Sequence, residues 1–356
     1  MAQRISVPGD VRNDNYSSCG VSDDHMTQLG HLNDIRLAAR VAGPVVVTGA
    51  NGFVGRVLVR YLSESGFSVR ATQSASHHYG LDDPVGRRKH GSDLWREALR
   101  GAGALIHLAA RTHVLADEAR DPLAEYRRIN VLQTMKIARE AAAAGIRRFV
   151  FVSSIKVNGE RTVIDKPYSA DDIPAPEDAY GQSKWEAEQA LRAFGAQCGI
   201  EIVIVRPVLI YGPGVRGNFL RMMSWVHANL PLPFGAVRNA RSLLAVENLV
   251  DLLTLCLIHP SAANEVFLAS DGRDFATPEL IRTIASAMER KPRLLAVPPG
   301  ILSFGLQAAG MKAIGQRLLG SLQVSTAKSQ ALLGWKPPVS PTTAMAKTVG
   351  HFLAGV

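Results

Sequence analysis

Cysteine is scarce in this chain: there are three in 356 residues, Cys19, Cys198 and Cys256, with no CxxC pair. That excludes a disulfide framework and a cysteine-built zinc site, and it fits a reduced, cytoplasmic protein. No metal is expected. Long apolar runs are also lacking. No N-terminal apolar run follows a basic stretch, so no secretory leader is expected. The fairly apolar stretch from Val297 to Val324 is interrupted by prolines, glycines, Lys312 and Arg317, which argues against a membrane span. There is no internal repeat and no low-complexity tract. Basic residues form only short clusters such as Arg87-Arg88-Lys89, without a reader motif, so nucleic acid is not an expected partner.

Apolar residues make up 47% of the chain, enough for a sizeable core. The formal net charge is +9. Residues 1–42 hold four Arg against five Asp, a net −1, so the remainder carries +10. A positive field of that kind helps to collect an anionic diphosphate. Residues 1–42 are polar, lack sustained periodicity and read as a flexible extension. Residues 43–212 read as a dinucleotide-binding α/β domain, with further strands from about 243–270. Residues 213–356, where prolines cluster, read mainly as a smaller substrate-binding cap.

The run Val45-Val46-Val47 is short, β-branched and apolar, as in a strand buried on both faces. A helix is predicted from Val54 to Ser65, and strands near Phe67 to Thr72 and Ala104 to Leu108. Between those two strands a helix includes Trp95 to Leu99. A helix from about Leu123 to Ala144 stops at Gly145. It is followed by a strand over Arg148 to Val152, a helix over Tyr180 to Cys198 and a strand over Glu201 to Val205. Strands alternating with helices imply a doubly wound parallel sheet of the Rossmann type.

The turn after the first strand reads TGANGFVG, placing Gly49, Gly52 and Gly55 in a GxxGxxG pattern. The first glycine permits the tight turn, the second lets the backbone approach a pyrophosphate, and the third allows close helix–strand packing. The helix start adds free N–H groups and a positive dipole end. Asn51, Phe53 and Val54 complete this loop as candidate cofactor contacts. No acidic residue stands near Gln73, where one would hold the adenine ribose. That leaves NAD and NADP both open, with Arg70, His77 and His78 as candidates to meet a 2′-phosphate.

Residues 180–184 read YGQSK, so Tyr180 and Lys184 share one helix face. A phenol with a pKa of about 10 is a poor base at neutral pH, and lowering it by roughly three units takes about 4 kcal/mol. A nearby ammonium works in that direction. The strand ending in Ser153 and Ser154 delivers hydroxyls to the carboxyl edge of the sheet, where such folds bind ligands. A serine there can hydrogen-bond a substrate oxygen and polarise a carbonyl.

TGANGFVG, HLAA at 107–110, Asn130 in INVLQT, the Ser153–Ser154 strand end, YGQSK and RPVLIYGPG at 206–214 occur in one order. Together they resemble the extended short-chain dehydrogenases of the NAD-dependent epimerase/dehydratase family over about residues 44–340. The resemblance is closest to UDP-hexose 4-epimerases and related sugar-nucleotide 4-reductases of polysaccharide synthesis. It implies NAD or NADP as cofactor and a nucleotide sugar as substrate. It makes Tyr180 the acid/base, Ser154 the group touching the reacting sugar oxygen, and Lys184 the holder of the nicotinamide ribose. Ala109 and Ser153 would lie beside the cofactor, and Asn130 would support the site. Asn218 in GNFL and Arg241 in NARSLLAVENL would bind the substrate diphosphate, a task suited to a guanidinium fork. Trp335 in LGWKP is expected only to pack. Such folds often pair as homodimers through a four-helix interface. The reaction implied is 4-epimerisation through a 4-keto sugar. The alternatives are a 4-keto-6-deoxy sugar reductase, a small-molecule ketone reductase, or a cofactor-sensing protein without turnover. This chain departs from the family at Asn158, where a tyrosine is usual, at Lys156, where a small residue is common, and at Gln133, where a glycine is usual.

Overall fold

The computed structural model describes residues 41–72, 91–112, 121–308 and 312–356. Gln73, His77, His78 and the 1–40 part of the N-terminal extension lie outside the described residues.

The first half alternates as its apolar pattern demands. β1 (Val45–Thr48) leads into α1 (Phe53–Glu64), β2 (Val69–Thr72), α2 (Gly91–Leu99) and β3 (Ala104–His107). Next come α3 (Pro122–Tyr126), a π-helical stretch (Arg127–Gln133) and α4 (Thr134–Ala143), which together replace the single regular helix expected here. β4 (Arg148–Val152), a 3₁₀ turn (Ile155–Val157), α5 (Ala179–Cys198) and β5 (Glu201–Pro207) follow. β6 (Leu209–Tyr211), α6 (Gly217–His227), β7 (Arg241–Ala245), α7 (Val246–Ile258), β8 (Val266–Ala269) and β9 (Asp274–Phe275) continue the chain. It ends with α8 (Thr277–Ala287), α9 (Pro299–Ala308), α10 (Lys312–Leu319), α11 (Ala327–Leu333) and α12 (Pro341–Ala354).

Six strands form one sheet in the order β2-β1-β3-β4-β5-β8, and every pairing is parallel. Burial explains it: Val45, Val46 and Val47 are wholly buried, with α1 and α7 over one face and α2, α4 and α5 over the other. The strand order reverses between β1 and β3, which opens a crevice at their carboxyl ends. The smaller sheet, β6-β7-β9, belongs to a second core built from α6, α8 and α12 around Phe219, Met223, Ile284 and Met345. Trp335 is buried as expected, and its indole N–H also donates to Asp251 at 2.8 Å.

Candidate active site

Three strand ends converge on the crevice. After β1, Gly49 turns with φ +71, and a Cβ there would stand 2.9 Å from the Ala109 amide nitrogen that follows β3. A Cβ on Gly55 would stand 2.2 Å from the Gly49 carbonyl oxygen, so α1 approaches the turn more closely than any side chain allows. On Gly52 a Cβ meets only that same oxygen, at 3.1 Å, and the residue is exposed. The turn is thus tight where it packs and open where a phosphate would lie. The Arg56 guanidinium braces it by donating to the Asn51 carbonyl at 2.9 Å. Phe53 and Val54 open α1, where helix amides have no intrahelical partner.

After β4 the chain presents two serines with different fates. The Ser153 hydroxyl is buried and has no hydrogen-bond partner. An unsatisfied buried hydroxyl costs about 1–3 kcal/mol. A polar edge of a bound dinucleotide would satisfy it, so this crevice fits such a cofactor. Ser154 starts the 3₁₀ turn, where its Oγ accepts from the Lys156 amide at 3.3 Å. Its side chain also hydrogen-bonds Tyr180. Tyr180 and Lys184 lie on the buried face of α5, whose N-cap, Asp178, accepts from the Gly181 amide at 2.7 Å. Ser154, Tyr180 and Lys184 are therefore brought to one edge of the sheet.

The electrostatics are those of a dry site. Burial pushes the Tyr180 phenol up, the Ser154 hydrogen bond opposes this, and the Asp178 and Tyr126 charges add to it. Burial lowers Lys184 to about 7, against the attraction of Glu188. The Lys184 ammonium sits 3.9 Å from the Phe151 ring centroid. On the same ring, His107 stacks at 5.9 Å and 15°. His107 is pushed down to about 3, first by burial and then by the Lys184 charge, so it is a neutral bridge. Its Nδ1 meets Thr48 Oγ1 at 2.8 Å and its Nε2 meets Thr134 Oγ1 at 3.0 Å, while Thr48 Oγ1 accepts from the Ala109 amide at 3.3 Å.

Asn130 sits in the π-helical stretch and is 1% exposed. It accepts from the Arg111 amide at 2.9 Å and donates to the Arg111 carbonyl at 3.1 Å and to Ser183 Oγ at 3.0 Å. It ties the loop after β3 to the helix that carries Tyr180. π-bulges of this kind are frequent where a helix is re-aimed at a functional site.

Two departures noted in the sequence prove to be structural. Asn158 is buried, accepting from Arg206 Nη1 at 2.9 Å and donating to the Ser169 carbonyl at 3.1 Å. Arg206 is wholly enclosed and forks onto Glu188 at 2.6 Å, one turn beyond Lys184. Lys156 pairs with Asp178 and Glu160 and so pins the start of α5.

Arg241, at the start of β7, donates to the Gly320 carbonyl at 2.9 Å. Burial lowers it to about 10, with the Arg317 charge adding to the fall and Glu160 opposing it. The charges of Arg317 and Glu160 thus both act on Arg241, and Glu160 itself pairs with Lys156. Arg317 was not found by sequence reasoning, because it lies in no motif and reaches Arg241 only through the fold. His107 was also missed, although it opens the HLAA motif. Asn218 stands exposed in the first turn of α6, and no described contact joins it to Arg241 or Tyr180. Arg70 is occupied elsewhere, donating to the Ala98 and Arg100 carbonyls at 3.1 and 2.5 Å.

A parallel sheet with a glycine turn at its switch point, and a Ser–Tyr–Lys group at the same edge, is the arrangement of the short-chain dehydrogenases. This chain belongs to the NAD-dependent epimerase/dehydratase family, whose model matches residues 45–269. It is 40% identical over 315 residues to a UDP-glucose 4-epimerase of Vibrio cholerae, covering 87% of this chain and 95% of that protein. It is 29% identical over 304 residues to a GDP-6-deoxy-D-mannose reductase of Pseudomonas aeruginosa, covering 83% and 92%. Among solved structures, the UDP-glucose 4-epimerase of Thermotoga maritima with UDP-glucose superposes with a TM-score of 0.68 at 21% identity, covering 88% of this chain and 99% of that one. That last likeness is one of fold. The family is NAD-dependent, and its members named here are enzymes of nucleotide sugars.

Proposed function

We propose that this chain is an NAD(P)-dependent 4-epimerase of a UDP-hexose or UDP-N-acetylhexosamine, working in the cytoplasm. The observation that carries the reading is the Tyr180–Ser154 hydrogen bond beside the buried Lys184, at the strand edge next to the glycine turn. The identity to the V. cholerae epimerase over nearly its whole length supports the substrate class.

In this reading Tyr180 takes the proton from the sugar O4 while Ser154 donates to the same oxygen. The bound nicotinamide supplies the hydride acceptor and donor, and its positive charge favours the phenolate. Lys184, when protonated, favours that phenolate too and orients the ribose. Gly49, Gly52 and Gly55 admit the pyrophosphate, with Asn51, Phe53, Val54, Ala109 and Ser153 along the rest of the cofactor. Arg241 and Asn218 hold the substrate diphosphate while the 4-keto sugar turns over and presents its other face. Residues 43–212 with β7–β8 carry the cofactor, and most of 213–356 closes over the substrate. Pairing as a homodimer would cover Leu132, which is 65% exposed beside α5.

A 4-keto-6-deoxy sugar reductase would use the same residues, and the identity to the P. aeruginosa reductase keeps that alternative distinct. A dehydratase would need an acid next to the serine. Here Ile155 is buried and Lys156 is engaged by Asp178 and Glu160. The test is incubation with UDP-glucose, UDP-N-acetylglucosamine and a 4-keto-6-deoxy UDP-sugar, following products and NAD(P)H absorbance. Isomer formation without net absorbance change is expected. Stoichiometric loss of NAD(P)H would replace the epimerase by the reductase, and failure of all three sugars to react or bind would end the nucleotide-sugar assignment.

A further inference from the structure

The apolar stretch that begins at Val297 meets the site described above only at its far end, through Arg317 and Gly320. It forms α9 and α10, which pack on each other as a hairpin. Leu302, Leu318 and Leu319 face the second core and anchor the hairpin to the body. Elsewhere on α9, Ile301 is 63% exposed and Phe304 76%, and Leu295 just before the helix is 51% exposed. The pairing of Leu232 with Leu294 brings the exposed Leu230 to one foot of the hairpin. The pairing of Thr162 with Ser321 brings the exposed Val163 and Ile164 to the other. Ile301 and Phe304 stand three apart and so share one face of α9, and large apolar side chains exposed side by side mark an interaction site.

Charge says what the partner is. Eighteen uncharged residues separate Arg293 from Lys312. From Arg290 to Val356 there are eight Lys and Arg and not one Asp or Glu. An uncharged apolar helix flanked by basic residues is the composition of elements that lie in a membrane interface. Self-association through this face would bring the basic residues that bound the uncharged stretch, Lys291, Arg293 and Lys312, against their own copies, which like charges oppose. Nor can α9 cross a bilayer: its ten residues span about 15 Å, half of the roughly 30 Å hydrocarbon core.

We propose that the α9–α10 hairpin docks this enzyme on an anionic membrane surface, with Ile301 and Phe304 inserted and the flanking basic residues against the headgroups. α10 runs directly into Gly320, whose carbonyl accepts from Arg241, so the docked surface adjoins the proposed diphosphate site. The docking does not depend on which sugar the site takes.

The test is co-sedimentation of the full chain with vesicles of phosphatidylcholine alone or with 40 mol% phosphatidylglycerol, a composition of the order used to give a surface potential. Binding is expected only with the anionic vesicles, and it should fall steeply as salt is raised and the Debye length shrinks. The double variant Ile301→Glu, Phe304→Glu should lose at least about tenfold in partitioning. Because both side chains are exposed, its melting temperature and turnover of a water-soluble nucleotide sugar should match the parent. Failure of the parent to bind anionic vesicles would overturn the proposal, as would equal binding by the double variant. So would a concentration-dependent dimer of the parent that this double substitution abolishes, because the patch would then be a contact between copies.

Discussion

Replacing Lys184 by Met should stabilise the cofactor-free protein while abolishing turnover. Lys184 is 1% exposed, and burial takes it from the usual lysine value down to about 7. Between about pH 7 and the unfolded lysine value of about 10.4, the unfolded chain holds a proton at this position that the folded chain does not. Stability attributable to this group therefore falls as pH drops through that window, and the loss is complete below about pH 7. A depression of that size corresponds to at most about 5 kcal/mol. The ammonium over Phe151, at 3.9 Å, returns about 2 kcal/mol. Methionine fills a similar apolar volume with no charge to desolvate, so a net gain of about 2–3 kcal/mol is expected at pH 7, declining toward zero near pH 10. Urea unfolding of both proteins without cofactor, at intervals from pH 6 to pH 10, measures this directly. A Met variant less stable than the parent at pH 7, or a difference that stays flat across the range, would refute the reasoning.

Three further outcomes follow from the same geometry. Arg206→Met leaves the buried Glu188 carboxylate without its fork and should cost about 3–5 kcal/mol in denaturant unfolding, more than any surface charge change. Gly55→Ala forces a methyl to 2.2 Å from the Gly49 carbonyl and should impair folding and cofactor retention together, whereas Gly52→Ala, with one contact at 3.1 Å, should leave melting near normal and weaken dinucleotide binding by calorimetry. Lys156→Ala frees the Asp178 charge that already raises Tyr180, so the alkaline shift of the kcat profile should be upward, toward higher pH, with folding retained.

The Rossmann half was legible because its signals are local. Three β-branched residues bounded by a glycine turn make a strand buried on both faces, and the spacing of Gly49, Gly52 and Gly55 is set by how closely α1 meets that turn. The four-residue spacing of Tyr180 and Lys184 put them on one helix face without tertiary information. What stayed hidden depends on partners far along the chain. The π-helical turn at Asn130 is held by Arg111 and Ser183, 19 and 53 residues away. Asn158 reads as a change in the substrate pocket until Arg206, 48 residues on, is seen to occupy it. Arg317 comes near Arg241 only because α10 folds back to Gly320. The acid-free C-terminal segment was visible as composition, but its meaning needed the exposure of Ile301 and Phe304.

Tyr180→Phe, assayed for interconversion of UDP-glucose and UDP-galactose with bound cofactor quantified in the same preparation, tests the catalytic assignment most directly. Loss of the phenolic oxygen should lower kcat by at least about a hundredfold, the lower end of what a positioned acid/base contributes, with cofactor content unchanged. A variant that keeps more than about a tenth of the parent kcat while holding its cofactor would show that the proton leaves O4 by another route.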